Sequence, residues 1–179
     1  MTPYFDKGAA LSDCGRYRYV LWRRWDPALP ELAIVMLNPS TADADKDDHT
    51  IRRCVSLAAF NGYGGIHVVN LFAYRATFPL ELREAADPVG PDNDRNLRYY
   101  TGHNLYRVCC AWGTHGALHD RARYFYEHLV PRNKRLYCFV TTKNGHPGHP
   151  ARIPNGPLFD YYGPREWRKG KQYEPQGAH

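Results

Sequence analysis

The chain has 179 residues, 43% of them hydrophobic, which fits one folded domain with a single substantial core and excludes a disordered tail. Twenty-four Lys and Arg against 18 Asp and Glu give a formal net charge of +6, a balance that favours an anionic partner such as nucleic acid. No apolar run approaches the ~20 residues needed to cross a bilayer, and MTPYFD at the start lacks a basic-then-apolar leader pattern, so no membrane association and a cytoplasmic location are expected.

Residues 16–25, RYRYVLWRRW, alternate polar and apolar and predict an edge strand. Asp26-Pro27 and Leu29-Pro30 then break the chain. Residues 32–37, LAIVML, form a short continuous apolar run, as in a strand buried on both faces. Residues 50–63 carry Ile51, Cys54, Val55, Ala58 and Ala59 at helical spacing and close on Asn61-Gly62. IHVVNLF (66–72) is a second buried strand. The following stretch reads first as loop, then as helix from about Asp92, where Asp92 or Asn93 is placed to cap it. RVCCAW (107–112) is a third strand, residues 117–130 a helix with Leu118, Ala122, Phe125, Tyr126 and Leu129 on one side, and LYCFV (136–140) a fourth strand. Residues 1–163 read as a single α/β domain and 164–179 as a polar C-terminal tail. Alternating strands and helices predict a mostly parallel central sheet with helices on both faces. The five cysteines form no C-x-x-C pair and read as buried free thiols; no metal site and no cofactor are indicated.

Ligands of such sheets bind beyond the carboxyl ends of the strands. There the sequence places Asn38-Pro39-Ser40-Thr41, then Asn70 continuing to Tyr74-Arg75, then Trp112-Gly113-Thr114-His115, and last Thr142-Lys143 through His146, Pro147 and His149. Turns favour such residues in any case, but four polar ends together point to a site at that edge. Asn70 stands where VVNLF calls for an apolar residue, and a buried amide must find partners. Those partners are either a neighbouring loop or the polar edge of a ligand such as a nucleobase. Asp43, Asp45, Asp47 and Asp48 read either as catalytic carboxylates or as a solvated run in which Asp48 caps the next helix; Asp48 is the one nearest the helix start. Arg52, Arg53, Arg75 and Lys143 are candidates for phosphate or anion contacts. Trp112 either stacks on a base or packs in the core, and His115 is an acid–base group or part of a turn. Fourteen tyrosines and four tryptophans read either as further surfaces for stacking on bases or as amphipathic surface packing.

Over roughly residues 16–160, the stretches LNPSTADADKDDHTIRRC, VVNLFAYRATFP, PVGPDND, AWGTHG and TTKNGHPGHP resemble an uncharacterised bacterial and phage family, number 1643 among the domains of unknown function. The order of MLNPST, IHVVNLFAYRATFP, CCAWGTHG and GHPGHP also resembles, remotely, the uracil-DNA glycosylase superfamily. That resemblance implies a three-layer α/β/α sandwich around a mostly parallel sheet, DNA as partner, and hydrolysis of the N-glycosidic bond of a uracil, mismatched or modified base. It implies that Asn38 positions the attacking water, Asn70 reads the flipped base, and His146 stabilises charge on the departing base. Pro39, Ser40, Pro147 and Gly148 then shape loops that pinch the backbone. The chemistry needs such groups, because the sugar becomes cation-like and the base must leave with a donor beside it. The strongest uracil-cleaving branches carry Asp where Asn38 stands, and the last motif reads His-Pro-Gly-His-Pro. Both differences motivate an alternative in which the same pocket binds nucleic acid or a nucleotide without cutting.

Overall fold

The structure is a computed structural model and describes residues 3–40, 44–103, 106–164 and 167. Its elements run β1 (Asp6–Leu11), β2 (Arg18–Arg24), β3 (Glu31–Met36), α1 (His49–Phe60), β4 (Gly65–Asn70), α2 (Pro79–Glu84), α3 (Asn93–Gly102) and β5 (Tyr106–Cys110). A 3-10 segment (Thr114–Asp120), the single turn α4 (Arg121–Tyr124), a π turn (Phe125–Leu129), β6 (Leu136–Cys138), a 3-10 turn (Pro150–Arg152) and β7 (Phe159–Asp160) complete the fold. No helix among the described residues is long and apolar enough to cross a membrane.

Seven strands form one sheet in the order β1-β2-β4-β3-β5-β6-β7. β4, β3, β5 and β6 are mutually parallel, whereas β1–β2, β2–β4 and β6–β7 are antiparallel. The sheet is therefore mixed: a parallel centre with antiparallel edges, not the mostly parallel sheet expected. Two further expectations change with it. β2 is no edge strand, because β1 covers it, and residues 79–84 are helical where a loop was expected. β1 is a weak strand by composition, DKGAAL, and Gly8 is needed there because a Cβ would come within 2.3 Å of the Trp22 ring lying across it. The signals for α2 are Pro79 at its first position and Glu81, whose Oε2 accepts the Thr77 N–H at 2.8 Å.

Alternation sorts the central strands onto two apolar clusters, as a period of two requires. Leu32, Ile34, Ile66, Val68 and Cys109 face the cluster built with Ile51, Cys54, Leu57 and Ala58 of α1. Ala33, Val35, Val69, Val108 and Cys110 face the cluster built with Leu97 of α3 and with Ala122, Phe125 and Leu129. Each fully buried Leu, Ile or Val contributes about 1.5–3 kcal/mol relative to exposure, so the central strands carry most of the apolar stabilisation. Four of the cysteines are buried and free, while Cys14 is free and exposed.

The segment expected as one helix over 117–130 is broken. His119 and Asp120 adopt left-handed conformations with φ of 51° and 53°, which an α-helix does not accommodate, so α4 starts only at Arg121. Of the expected tail, Trp167 is 9% exposed and packs beside Tyr126 and His146, while residues 165, 166 and 168–179 lie outside the described residues.

Candidate functional site

In a doubly wound sheet, a crevice opens where connections from adjacent strands depart in opposite directions. The chain leaves β3 toward β4 on one side and β5 toward β6 on the other, so the crevice lies between the C-terminal ends of β3 and β5. Asn38-Pro39-Ser40 and Trp112-Gly113 follow those two ends.

Asp48 caps α1: its Oδ1 accepts the Ile51 N–H at 2.8 Å, and its Oδ2 accepts the Ser40 hydroxyl. Both carboxylate oxygens are thereby engaged. Asp48→Ala is expected to lower stability by about 1–2 kcal/mol, with most of the loss recovered by Asp48→Asn, which can still cap; urea unfolding of the two variants measures this. Asp45 and Asp47 of the aspartate run are also partnered. Asp45 lies 3.4 Å from Lys7, and Asp47 accepts from Arg23 Nε and from the Tyr4 hydroxyl, each at 2.7 Å. Thr41 and Asp43 lie outside the described residues.

The His-Pro loop reaches the same place. Gly113 has φ +73° and donates its N–H to the Pro147 carbonyl at 2.9 Å; a Cβ on it would stand 3.7 Å from the His149 Cβ. His149 Nδ1 accepts the Ala151 N–H at 3.3 Å, which places the proton of the neutral ring on Nε2. Burial holds His149 below the usual histidine value; Arg152 pushes the same way and Asp48 opposes them. A neutral His149, whose Nε2–H has no hydrogen-bond partner among the described residues, is therefore a donor beside the start of α1.

Asn38 is half-buried and its Nδ2 donates to the Ala76 carbonyl at 2.7 Å and to the Pro39 carbonyl at 3.0 Å. That bond ties the end of β3 to the chain beyond β4 and leaves Oδ1 as the acceptor. Asn70, the last residue of β4, sits opposite Met36 and is 1% exposed. Neither its Oδ1 nor its Nδ2 has a hydrogen-bond partner among the described residues. Two bare polar atoms on one buried amide are costly, about 1–3 kcal/mol, and native interiors rarely carry them.

The other expected residues take different places. Trp112 is 1% exposed and meets Phe125 and Tyr161 edge-on in the core, so neither face is open to a base. His146 is nearly buried, its Nδ1 unpartnered among the described residues and its ring edge-on to Trp167 at 6.3 Å. Its N–H donates to Thr142 Oγ1 at 3.2 Å, closing the turn that exposes Lys143. Arg75 reaches the Gly15 carbonyl at 3.3 Å, toward the β1–β2 connection, and His115 is exposed in the 3-10 segment. Arg53 bonds Ile153 O and Asn155 Oδ1, strapping down a loop, whereas Arg52 is exposed and bonds Asp47 O. The structure thus brings together Ser40, Asp48, Gly113, Pro147 and His149, and sets Asn38 and Asn70 at the ends of the adjoining strands β3 and β4.

Three supporting residues escaped the sequence reading. Arg23 is fully buried and anchors Asp47. Asn93, expected as a helix cap, instead points inward and donates to the Asn70 and Leu71 carbonyls, each at 3.0 Å. Arg121 Nε donates to the same Leu71 carbonyl at 2.8 Å and its Nη2 pairs with Asp94. An inward role for Asn93 follows from its partner carbonyls, which lie 22 and 23 residues away and leave no local trace.

Fold and site define an α/β protein with a polar cradle at the switch point of its parallel strands. The model of the family described as "Protein of unknown function (DUF1643)" matches residues 18–151, and the chain belongs to that family. No curated protein and no solved structure matches the chain.

Proposed function

We propose that the protein recognises a nucleobase of DNA in this cradle and is a DNA-glycosylase-like hydrolase of the N-glycosidic bond of a uracil, mismatched or modified base. The observation that carries the reading is Asn70: a buried amide with its donor and acceptor both unpartnered matches the paired donor and acceptor of a base edge. On this reading Asn38 Oδ1 holds the water that adds at the sugar C1′. The C–N bond breaks, the base leaves with its electron pair beside a histidine N–H, and the proton given up by the water passes to solvent, from which the departed base takes one. The sequence resemblance assigns that donor to His146; an Nε2–H without a partner among the described residues and the position beside Asp48 favour His149. The finer fold description, a three-layer sandwich of the uracil-DNA glycosylase type, belongs to this reading. It is supported by the two apolar clusters, one built with α1 and the other with α3.

A second reading, recognition without cleavage, is favoured by one specific observation. Asp45, Asp47 and Asp48 all have partners, so none stands free to activate a water. An abasic-site assay separates the two: single- and double-stranded DNA carrying uracil, mismatches and modified bases is incubated with the protein and then treated with alkali. Alkali-labile strands that disappear with Asn38→Ala and His149→Ala are expected for the hydrolase. Loss with His146→Ala alone returns the donor role to that residue. Intact strands with binding dependent on Asn70 support the second reading, and neither cleavage nor binding overturns both.

A further inference from the structure

On the sheet face that carries α3, a cleft of about 610 Å³ opens between α2 and the segment from His119 to His128. That volume falls within the ~300–1,000 Å³ typical of small-molecule sites. Its floor and apolar wall are Phe72, Pro88, Val89 and Tyr124. Its charged groups are not equivalent. Arg121 is matched by Asp94 and Arg123 by Glu127, at 3.2 Å in the second pair. Arg83 and Asp120 also line the cleft, and among the described residues neither makes an ion pair. Asp120 and His119 hold consecutive left-handed conformations at the rim, a backbone state that non-glycine residues adopt at a cost and that recurs where a side chain is being aimed.

Both groups are exposed and hydrated, so they are free to meet an occupant of the cleft. Arg83 calls for one anionic group, and Asp120 calls for hydroxyl or amino donors at a second point. The apolar wall calls for a planar or apolar body between them. A polyanion would meet Asp94, Asp120 and Glu127, and a hydrocarbon would displace water from Arg83 and Asp120 without replacing its hydrogen bonds. We propose that this cleft binds a single nucleoside monophosphate unit, with the phosphate on Arg83, the sugar on Asp120 and the base against the apolar wall. The ligand class rests on the nucleobase reading of the protein; the site itself is separate from the β3–β5 crevice. Arg121, in the wall of the cleft, donates to the carbonyl of Leu71, the residue after Asn70 at the end of β4.

The same chemistry reaches the cleft from two sources, a free mononucleotide or one nucleotide of a bound strand. Equilibrium dialysis of the full chain uses thymidine 5′-monophosphate, thymidine and inorganic phosphate, with a uracil-containing oligonucleotide measured in parallel. Arg83→Gln is expected to weaken the monophosphate at least about tenfold and the nucleoside little, while Asp120→Asn weakens both. Asn tolerates the left-handed backbone, so Asp120→Asn keeps the local fold. If the free monophosphate does not bind but Arg83→Gln weakens the oligonucleotide to the same extent, the strand is the source. The proposal is overturned if both variants bind every probe as the parent does, or if phosphate alone binds as tightly as the nucleotide. Monophosphate binding that is lost in Asn70→Leu and untouched by Arg83→Gln places the nucleotide in the β3–β5 crevice, which overturns this site and supports the proposed function. Arg83-dependent binding without any cleavage or Asn70-dependent recognition leaves this site standing and removes that function.

Discussion

Asn70→Leu is expected to raise the stability of the ligand-free protein by about 1–3 kcal/mol and to abolish base recognition. The two effects have one cause. Asn70 is 1% exposed, and both of its side-chain polar atoms lack partners among the described residues. In the unfolded chain water satisfies them, so folding forfeits those bonds and regains none. Leu has the same number of side-chain heavy atoms and the same branch point and carries no polar atom, so the substitution removes the desolvation cost without opening a cavity. Asn70→Ala is a poorer probe, because the cavity it leaves offsets the gain. The measurement is a pair of urea unfolding curves together with oligonucleotide binding. Greater stability with lost binding marks a residue kept for a ligand. A loss of stability in Asn70→Leu would show that the amide serves the fold and would remove the observation on which the base-reading proposal rests.

Arg23→Met carries the largest expected loss, about 3–5 kcal/mol. Arg23 is fully buried, its Nε is 2.7 Å from Asp47 Oδ1, and its Nη1 donates to the Trp22 carbonyl at 2.8 Å and to the Gly8 carbonyl at 3.3 Å. Its guanidinium also lies over the Tyr4 ring at 5.7 Å. Met keeps much of the stem packing but takes the paired cation from the Asp47 carboxylate, which is only 14% exposed and keeps the Tyr4 hydroxyl bond. Leaving a largely buried carboxylate without its counter-charge accounts for most of the cost. Arg23→Met combined with Asp47→Asn is therefore expected to recover a large part of it, and a double-mutant cycle in urea reads the coupling. The functional consequence follows from chain order. Asp47 precedes the cap Asp48, so loosening it unsettles the start of α1 and the Ser40–Asp48 bond at the crevice. Additive losses in the cycle would show that the pair is not coupled and that Arg23 acts through packing alone.

The elements legible in the sequence are those whose signal is local. LAIVML and IHVVNLF are continuous apolar runs and form β3 and β4, and the spacing of Ile51, Cys54, Val55 and Ala58 gives α1 with Asp48 as its cap. Polar strand ends pointed to the carboxyl edge of the sheet, and Asn70 stood out because it interrupts an apolar run. Elements whose stability comes from their neighbours were not legible. β1 has little strand propensity of its own and exists through pairing with β2; β7 is two residues long and exists through β6. Residues 117–130 have helical spacing, yet the left-handed turn at His119 and Asp120 interrupts it.

Trp112 and Asn93 mark the same boundary within the site. Trp112 stands at a strand end where a stacking ring is plausible, and only the packing of Phe125 and Tyr161 around it shows that its faces are occupied. Asn93 stands where a cap is plausible, and only the position of β4 shows that its amide serves the carbonyls of Asn70 and Leu71. By itself the sequence determined the α/β class, the central strands, the first major helix and the polar edge, because hydrophobic period and capping act within a few residues. The tertiary structure alone decided the strand order, the place of the switch-point crevice, the commitment of Asp45, Asp47 and Asp48 and the isolation of Asn70 among the described residues. Each of these depends on which distant groups meet, and a side chain's spare hydrogen-bonding capacity exists only once its neighbours are in place.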